Sequence, residues 1–276
     1  MVLSDKKARL DACLGGLGRV LVAYSGGVDS AYLAFAAHQA LGGEMLAVIA
    51  DSPSLARAQL ADALAFAAEQ HIPVEVIQTQ ELRREKYARN DGLRCFYCKD
   101  ELFTRLDSMR EQRGFAAVAY GVNADDTGDF RPGQEAARQH RVAAPLLQAD
   151  LTKADVRQLA RLAGLRVWDK PASACLSSRI EYGREVTPEA LAQVERGEDA
   201  LRALGFSQFR VRHHGAIVRL EIAREEMPRA LTPEMAAEFT RIFRGLGFQY
   251  VTLDLEGFRS GSMNAVLPAS LLTGKP

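Results

Sequence analysis

The sequence of 276 residues lacks a net charge, because 35 Lys and Arg residues balance 35 Asp and Glu residues. A protein that binds along a nucleic-acid backbone usually carries a clear excess of basic residues. The balance therefore disfavours a nucleic-acid partner and favours a small-molecule ligand.

The sequence also lacks any apolar stretch near the roughly 20 residues that span a membrane. No apolar core of the kind found in secretory signals occurs near the N-terminus. We therefore expect a cytoplasmic protein with no membrane partner. Four cysteines are few, and in a cytoplasmic protein they indicate metal binding or catalysis more than disulfides.

A Walker A motif, with its Lys followed by Ser or Thr, is absent as well. Instead, the apolar run Val20 to Tyr24 predicts a buried strand, and residues 31–41 predict a helix. A six-residue loop joins them, and its members are Ser25, Gly26, Gly27, Val28, Asp29 and Ser30. The backbone N–H groups at such a helix N-terminus suit a phosphate or pyrophosphate group.

Each residue type in this loop has a plausible role beside an anion. Gly26 and Gly27 let the backbone approach without a Cβ atom, and Ser25 and Ser30 add hydroxyl donors. Asp29 is a candidate partner for Mg²⁺ or for the amides of the loop. The alternative is an ordinary tight turn, because glycine pairs are common between strands and helices.

The complete string Ser-Gly-Gly-Val-Asp-Ser resembles the signature of the PP-loop ATP pyrophosphatases. The resemblance implies that ATP is bound with Mg²⁺ and cleaved between its α- and β-phosphates. The substrate would then be adenylated, and pyrophosphate would leave. The string is specific for the superfamily and leaves the substrate open.

Strand and helix patterns alternate through the first part of the chain. Further strands are predicted at 45–50, 73–77 and 116–120, and a helix is predicted from about Ser54, its candidate cap, to Gln70. A later helix is predicted from Thr152 to Ala163, with Asp155 at its capping-box position. This alternation predicts an α/β fold with a doubly wound, mostly parallel sheet of the PP-loop ATP pyrophosphatase type. A smaller α+β domain follows, so we expect domains at 1–184 and 185–276.

Polar residues follow two of these strands, where open parallel sheets bind ligands. Asp51 and Ser52 follow the second strand, at the position where PP-loop proteins hold the adenosine. Gly121, Asn123 and Asp126 follow the fourth, and they suit ribose or magnesium-pyrophosphate contacts. The alternative for the second group is a capped turn, because Asn and Asp favour such turns.

Three of the cysteines invite a functional interpretation. Cys95 and Cys98 form a Cys-x-x-Cys pair, which fits a redox pair, half of a zinc site or part of an iron–sulfur site. Cys175 lies in a long irregular stretch and is an attractive third ligand. Three thiols would hold a [4Fe–4S] cluster with one iron open to a sulfide, which suits sulfur transfer. The alternative is a pair packed in a helix, with Cys175 acting alone.

Arg94, Lys99 and Arg179 flank the thiols in the sequence. Cations beside a thiol lower its pKa and raise the fraction of nucleophilic thiolate. Each cation is equally compatible with a plain surface charge.

Arg210 and Arg212 are predicted on one face of a strand by its two-residue period. Such a pair can hold a phosphate in bidentate fashion, and Glu221 on the adjacent predicted strand can orient one arginine. Exposed arginine pairs also occur simply for solubility.

Taken together, these segments resemble the LarE family of ATP-dependent sulfur transferases, which build the nickel-pincer nucleotide cofactor of lactate racemase. The resemblance covers essentially the whole chain and rests on the phosphate loop, Arg-Cys-x-x-Cys-Lys, Pro-Ala-x-x-Cys-Leu-x-Ser-Arg and Arg-x-Arg. It implies adenylation of pyridinium-3,5-biscarboxylic acid mononucleotide by ATP. Sulfur then displaces AMP and gives a thiocarboxylate.

The resemblance also implies roles for individual residues. Family members with only the cysteine that matches Cys175 sacrifice its sulfur, whereas members with all three cysteines are thought to bind a [4Fe–4S] cluster. Arg210 and Arg212 would hold the substrate phosphate, and the C-terminal domain would support assembly into a homo-oligomer, expected to be a hexamer.

Three alternatives stay open at this point. A PP-loop tRNA thiolation enzyme shares the loop and often the three cysteines. Amide-forming PP-loop synthetases share the loop but leave three thiols unexplained. A non-catalytic nucleotide sensor or iron–sulfur carrier would bind ATP without releasing pyrophosphate.

Overall fold

The computed structural model describes residues 2–128, 132–171, 173–259 and 263. Within these ranges, the chain divides into two units, residues 1–81 with 95–173 and residues 82–94 with 174–276. This division after Ser173 lies before the domain boundary predicted at residue 184, which stays a prediction. The residues from 260 onward lie outside the described part of the chain, apart from Met263.

The first unit is built around a four-stranded sheet in the order β3-β2-β1-β4, with every neighbouring pair parallel. Its strands are β1 (Val20–Ala23), β2 (Met45–Asp51), β3 (Val74–Gln78) and β4 (Ala117–Tyr120). Its helices are α1 (Leu3–Leu17), α2 (Val28–Leu41), α3 (Arg57–Glu69), α5 (Arg94–Arg113, whose first residue belongs to the second unit), α6 (Pro132–Gln139), α7 (Pro145–Gln148) and α8 (Lys153–Leu162).

Both faces of this sheet are covered, which explains why β1 is apolar at every position. Alternate residues of a strand point to opposite faces. Val20 and Val22 accordingly pack in one core with α1, α2 and α8. Leu21 and Ala23 pack in a second core that includes Phe103 of α5. The predicted doubly wound α/β fold is confirmed.

The second unit holds a three-stranded sheet in the order β5-β6-β7, antiparallel between β5 and β6 and parallel between β6 and β7. Five phenylalanines fill its core: Phe206, Phe209, Phe239, Phe243 and Phe248. Its strands are β5 (Phe209–His214), β6 (Ile217–Ile222) and β7 (Tyr250–Leu253). Its helices are α4 (Glu85–Ala88), α9 (Pro188–Ala203), α10 (Met227–Ala230) and α11 (Pro233–Gly245). The predicted α+β region after the main sheet is thereby confirmed.

The sequence predicts helix starts well where a side chain caps the backbone. Thr152 caps α8, and the capping box with Asp155 is present. Ser54 was a wrong choice of cap, because α3 begins at Arg57 after Ala56 and has no side-chain cap. The Ser54 hydroxyl instead donates to Glu81, with the two oxygens 2.9 Å apart. In the described part of the chain, no helix is long and apolar enough to cross a membrane.

His140, directly after α6, joins that helix to α5. Its Nδ1 atom lies 2.7 Å from a carboxylate oxygen of Asp107, and its Nε2 atom lies 3.0 Å from one of Asp100. Partial burial of the imidazole would lower its pKa, but the hydrogen bonds to Asp107 and Asp100 outweigh burial and raise it. Protonated His140 therefore stabilises the contact between the two helices.

A pH-dependent stability should follow from His140. Because its folded-state pKa is raised, its contribution is fully present below the ordinary histidine pKa and is lost as pH rises through the folded value. We expect His140→Gln to lower the free energy of unfolding by about 1–2 kcal/mol in acidic buffer and by less in alkaline buffer. Urea denaturation of both proteins from pH 5.5 to 9 measures this, and a constant difference would contradict it.

Candidate functional site

The predicted phosphate loop lies between the carboxyl end of β1 and the start of α2. Gly26 has a positive φ of 71°, and a Cβ atom there would lie 2.5 Å from Cβ of Ala63 in α3. Glycine is therefore required at this position by packing as well as by conformation. Gly27 caps α2, and a Cβ atom on it would lie 3.6 Å from the Ser25 hydroxyl oxygen, an ordinary contact distance.

The two loop serines have different surroundings. The Ser30 hydroxyl is buried, donates to the carbonyl of Gly27 (3.1 Å) and accepts from the backbone N–H of Ser25 (3.2 Å). The Ser25 side chain is exposed, and its oxygen lies 3.0 Å from that of Ser30. Ser30 thus closes the loop, whereas Ser25 presents a hydroxyl at the surface.

Asp29 carries an incompletely satisfied carboxylate. Its Oδ1 atom is buried and has no hydrogen-bond partner among the described residues. Burial raises the pKa of Asp29, as does the charge of Asp126, while Lys153 and a hydrogen bond from Asn123 act in the opposite direction. A buried carboxylate oxygen with this deficit fits a Mg²⁺ ligand, because Mg²⁺ is bound through carboxylates and phosphates.

The turn after β4 packs directly against the loop. A Cβ atom on Gly121 would lie 2.8 Å from the backbone nitrogen of Ser30, so the two segments touch through their backbones. Asn123 is buried, accepts from the N–H of Asp125 (3.0 Å) and donates its own N–H to Asp126 (3.1 Å). These are the contacts of a capped turn, and a ligand role for Gly121, Asn123 and Asp126 stays a prediction.

Asp51 and Ser52 after β2 are held by neighbouring side chains. The carboxylate of Asp51 lies 2.6 Å from a guanidinium nitrogen of Arg57 and accepts from Gln78 at 3.0 Å. The buried hydroxyl of Ser52 lies 2.8 Å from that of Ser54. The structure therefore gives both side chains internal partners, and their contact with adenosine stays a prediction.

Sequence reasoning missed Lys170. Its ammonium group donates to the carbonyl of Gly26 (2.8 Å) and forms an ion pair with Asp62, which also binds Arg166 at 2.5 Å. Burial would raise the pKa of Asp62, but the hydrogen bonds from Lys170 and Arg166 lower it. Lys170 lies 144 positions after Gly26, and no local sequence pattern predicts a contact over that separation.

Cys95 and Cys98 lie in the first turns of α5, three positions apart, so their side chains emerge on one face of the helix. Cys95 is exposed and Cys98 half-buried. A Cβ atom on Gly133 of α6 would lie 3.0 Å from the Lys99 side chain and 3.5 Å from the Cys95 carbonyl. The Lys99 ammonium lies 6.0 Å from the centre of the Phe103 ring.

Cys175 belongs to the second unit, where it precedes a single 3₁₀ turn, Leu176–Arg179. Its thiol is half-buried. Arg179 donates to the carbonyls of Ala174 (2.7 Å) and Cys175 (3.0 Å), and Glu198 accepts two further bonds from the same guanidinium. Nη1 of Arg179 also lies 3.0 Å from the Ser178 hydroxyl oxygen, so the described contacts of Arg179 are to backbone, carboxylate and hydroxyl groups.

Arg94 and Tyr87, which lie in the segment 82–94, form hydrogen bonds to the same turn. Arg94 is buried and donates to the carbonyl of Ser177 (2.9 Å), and the Tyr87 hydroxyl lies 2.6 Å from that of Ser177. Sequence reasoning placed Arg94 beside a thiol as a charge, whereas this contact is a backbone one. Tyr87 had no role in the sequence interpretation.

The predicted arginine pair lies on β5. Arg212 donates to the carboxylate of Glu221 on β6 (2.8 Å), so the predicted orienting contact is present, and also to the carbonyl of Ser178 (3.2 Å). Arg210 stacks on the Phe258 ring at 4.9 Å. Burial lowers the pKa of Arg210 to about 10, and the positive charges of Arg179 and Arg212 act in the same direction.

Arg179, Arg210 and Arg212 form an arginine cluster with the chemistry of an anion site. Positive charges held close together at partial burial repel one another, and a bound phosphate would relieve that repulsion. The cluster is also connected to the Cys175 turn, because Arg212 bonds to Ser178 and Arg179 bonds to Cys175. Within the second unit, a candidate phosphate site and a candidate reactive thiol are therefore joined by hydrogen bonds.

No group of three or more His, Cys, Asp or Glu side chains is placed to hold a metal ion in the part of the chain that the structure describes. Cys95 and Cys98 belong to the first unit and Cys175 to the second. The donor set itself, three thiols, matches an iron–sulfur cluster by chemical type.

Comparison with known proteins places the chain in a family, although no family model matches it. An uncharacterized protein of Synechocystis sp. is 42% identical over 266 residues, which cover 96% of this chain and 99% of that protein. Pyridinium-3,5-bisthiocarboxylic acid mononucleotide synthase of Lactiplantibacillus plantarum is 38% identical over 274 residues, 98% of each chain. An uncharacterized protein of Methanocaldococcus jannaschii is 27% identical over 242 residues, 88% of this chain and 91% of that protein.

The parallel sheet with its glycine loop defines an α/β protein of the PP-loop ATP pyrophosphatase type. Its similarity to the Lactiplantibacillus plantarum synthase extends over both units. The chain belongs to the LarE family.

Substitution of Gly26 should test the packing of the loop. Gly26→Ala introduces both a strained positive φ and a clash with Ala63, so we expect it to lower the free energy of unfolding by roughly 1–3 kcal/mol. Gly16→Ala in α1 is a matched control, because its added methyl group would have no atom of the described residues within 4 Å, apart from its chain neighbours and the backbone of its own helix. Urea denaturation measures the free energy of unfolding of both variants. Equal effects of the two substitutions would contradict a specific requirement for glycine at position 26.

Proposed function

We propose that this protein is an ATP-dependent sulfur transferase that acts on pyridinium-3,5-biscarboxylic acid mononucleotide. It converts a carboxylate of that substrate to a thiocarboxylate, for nickel-pincer nucleotide synthesis. The observation that carries the proposal is 38% identity over 98% of the chain to a pyridinium-3,5-bisthiocarboxylic acid mononucleotide synthase. The match includes both units and is not confined to the nucleotide-binding fold.

The loop of residues 25–30 is the proposed ATP-binding element. Its support is the N-terminus of α2, where backbone N–H groups lack partners within the helix. Asp29 is the proposed Mg²⁺ ligand, supported by its buried Oδ1 atom, which has no hydrogen-bond partner among the residues that the structure describes. The exposed hydroxyl of Ser25 is the proposed donor to a phosphate oxygen.

The arginine cluster is the proposed site of the substrate phosphate. Arg210 and Arg212 lie on one face of the same strand by its two-residue period, and Glu221 accepts a hydrogen bond from Arg212. The reacting carboxylate of the substrate would then be oriented by its phosphate, which takes no part in the chemistry. Such remote binding energy is used to position the reacting atoms.

The proposed reaction has two steps, and each step forms one bond and breaks another. A carboxylate oxygen attacks the α-phosphorus of ATP, the bond from that phosphorus to the bridging oxygen breaks, and pyrophosphate leaves. A sulfur nucleophile then attacks the acyl carbon, and the bond to the AMP oxygen breaks. Adenylation is needed because a free carboxylate has no adequate leaving group.

Cys95, Cys98 and Cys175 are the proposed ligands of a [4Fe–4S] cluster. When bound, a cluster with three cysteine ligands would supply an iron position that is open to an exogenous sulfide. Exposure of Cys95 and partial exposure of Cys98 and Cys175 support their access to such a group. Sacrificial transfer of the Cys175 sulfur is the alternative source, and it needs no cluster.

The proposed reaction can be tested with anaerobically reconstituted protein, ATP, Mg²⁺, sulfide and the biscarboxylate substrate. We expect AMP, pyrophosphate and a thiocarboxylate product by mass spectrometry, no product from Cys175→Ala, and unchanged activity from Cys13→Ala. Cys95→Ala should lose the iron and sulfide of the reconstituted protein. Thiolation of added tRNA with no thiocarboxylate would contradict the proposal.

The protein mass after turnover separates the two sulfur sources. Loss of about 34 Da, equivalent to H₂S leaving a cysteine, would identify Cys175 as the donor, whereas an unchanged mass with product formed supports the cluster route. Zinc in place of iron in the reconstituted protein would contradict the cluster. Pyrophosphate release without any sulfurated product would contradict sulfur transfer itself.

Arg210 gives the sharper test of the phosphate site. Loss of the Arg212 guanidinium would leave the fully buried Glu221 short of a partner, which destabilises folds by roughly 3–5 kcal/mol. Arg210→Gln avoids this, and we expect about a tenfold or greater rise in the substrate KM with little change in kcat. Arg244→Gln, at an exposed position of α11, controls for charge removal, and an unchanged KM for Arg210→Gln would contradict the phosphate site.

A further inference from the structure

The carbonyl group of Cys175 is held from several directions. It accepts hydrogen bonds from the backbone N–H of Ser178 (3.0 Å), the Ser178 hydroxyl (2.7 Å) and Nη1 of Arg179 (3.0 Å). The carbonyl and the side chain share one Cα atom, so a fixed carbonyl restricts the direction in which the thiol can point. The turn therefore fixes the direction of the Cα–Cβ bond of Cys175 and limits the thiol to the rotamers about that bond.

Arg179 links this turn to the body of the second unit. Its Nε and Nη2 atoms bond to the two carboxylate oxygens of Glu198 on α9, at 2.8 and 3.2 Å, and both side chains are more than 90% buried. Glu198 in turn accepts from the backbone N–H of Val211 on β5 at 3.4 Å. The guanidinium thus joins a helix and a strand to the residues before the turn.

We propose that Arg179 is the positioning residue for Cys175. Its planar group spans the distance from Glu198 to the carbonyls of Ala174 and Cys175, and it fixes where the thiol is presented. The functional consequence rests on the proposed role of Cys175 in sulfur transfer. The rival interpretation, which the sequence suggests, is a cation that activates the thiol by its charge.

The two interpretations differ in what a lysine can replace. A Lys ammonium retains the positive charge but is a single point of donation, whereas Arg179 uses three nitrogens in fixed directions. A charge effect would therefore survive Arg179→Lys and fail in Arg179→Gln. A positioning effect would fail in both variants.

The experiment compares Arg179→Lys, Arg179→Gln and Glu198→Gln with Arg196→Gln, an exposed arginine on the same helix as Glu198. Two readouts are taken: kcat and substrate KM for thiocarboxylate formation, and the alkylation rate of Cys175 by iodoacetamide from peptide mass mapping. We expect both Arg179 variants to lose kcat by about 10- to 100-fold with KM nearly constant, because misplacement of a reacting group has effects of this size. We expect the Cys175 alkylation rate to change at least about threefold in both, and Arg196→Gln to match the wild type.

Glu198→Gln keeps the shape of the anchor but removes its charge, so it should change both readouts in the same direction to a smaller extent. It also supplies the test if the Arg179 variants do not fold. Wild-type kcat and alkylation in Arg179→Lys would overturn the positioning role, and so would wild-type alkylation in Glu198→Gln. If wild-type protein makes no thiocarboxylate, the proposed function fails, while the alkylation comparison still decides the role of Arg179.

Discussion

Parallel pairing of β1 with both β2 and β4 is the constraint on which the first unit depends. Parallel strands end at the same edge of a sheet, so three separate segments meet there: the loop after β1 and the turns after β2 and β4. The loop and the turn after β4 touch closely enough that glycine is needed at Gly121, and packing of the loop against Ala63 of α3 requires glycine at Gly26. Asp29 acquires its unusual environment from this convergence, because Asn123 and Asp126 approach it from the turn after β4.

In the second unit, several guanidinium groups lie close together and are held by carboxylates. Glu198 and Glu221 each neutralise one buried arginine and keep it in a fixed direction. Burial lowers the pKa of Arg210, and the positive charges of Arg179 and Arg212 act in the same direction. In the proposed function, the substrate phosphate would complete this charge balance, and the same network extends to Cys175 through Ser178 and Arg179.

Most of the fold could be predicted from the sequence, because apolar runs and capping residues act locally. The strand at Val20 and the helix after Thr152 are examples. Predictions failed or were incomplete where a long-range partner competed. Ser54 bonds to Glu81 instead of capping a helix, and Lys170 reaches Gly26 across 144 positions. Arg94 and Arg179 near the cysteines were recognised as charges. Their backbone partners depend on tertiary structure that the sequence spacing does not reveal.

The buried contact between Arg179 and Glu198 also limits how this protein can diverge. Replacement of either partner alone by an apolar residue leaves the other charge buried without its ion pair, at a cost comparable to a large share of the stability of a domain. Random drift at one of the two codons is therefore blocked unless the other changes too. Relatives that have abandoned this arrangement should differ at both positions, and the two residues should share one evolutionary history.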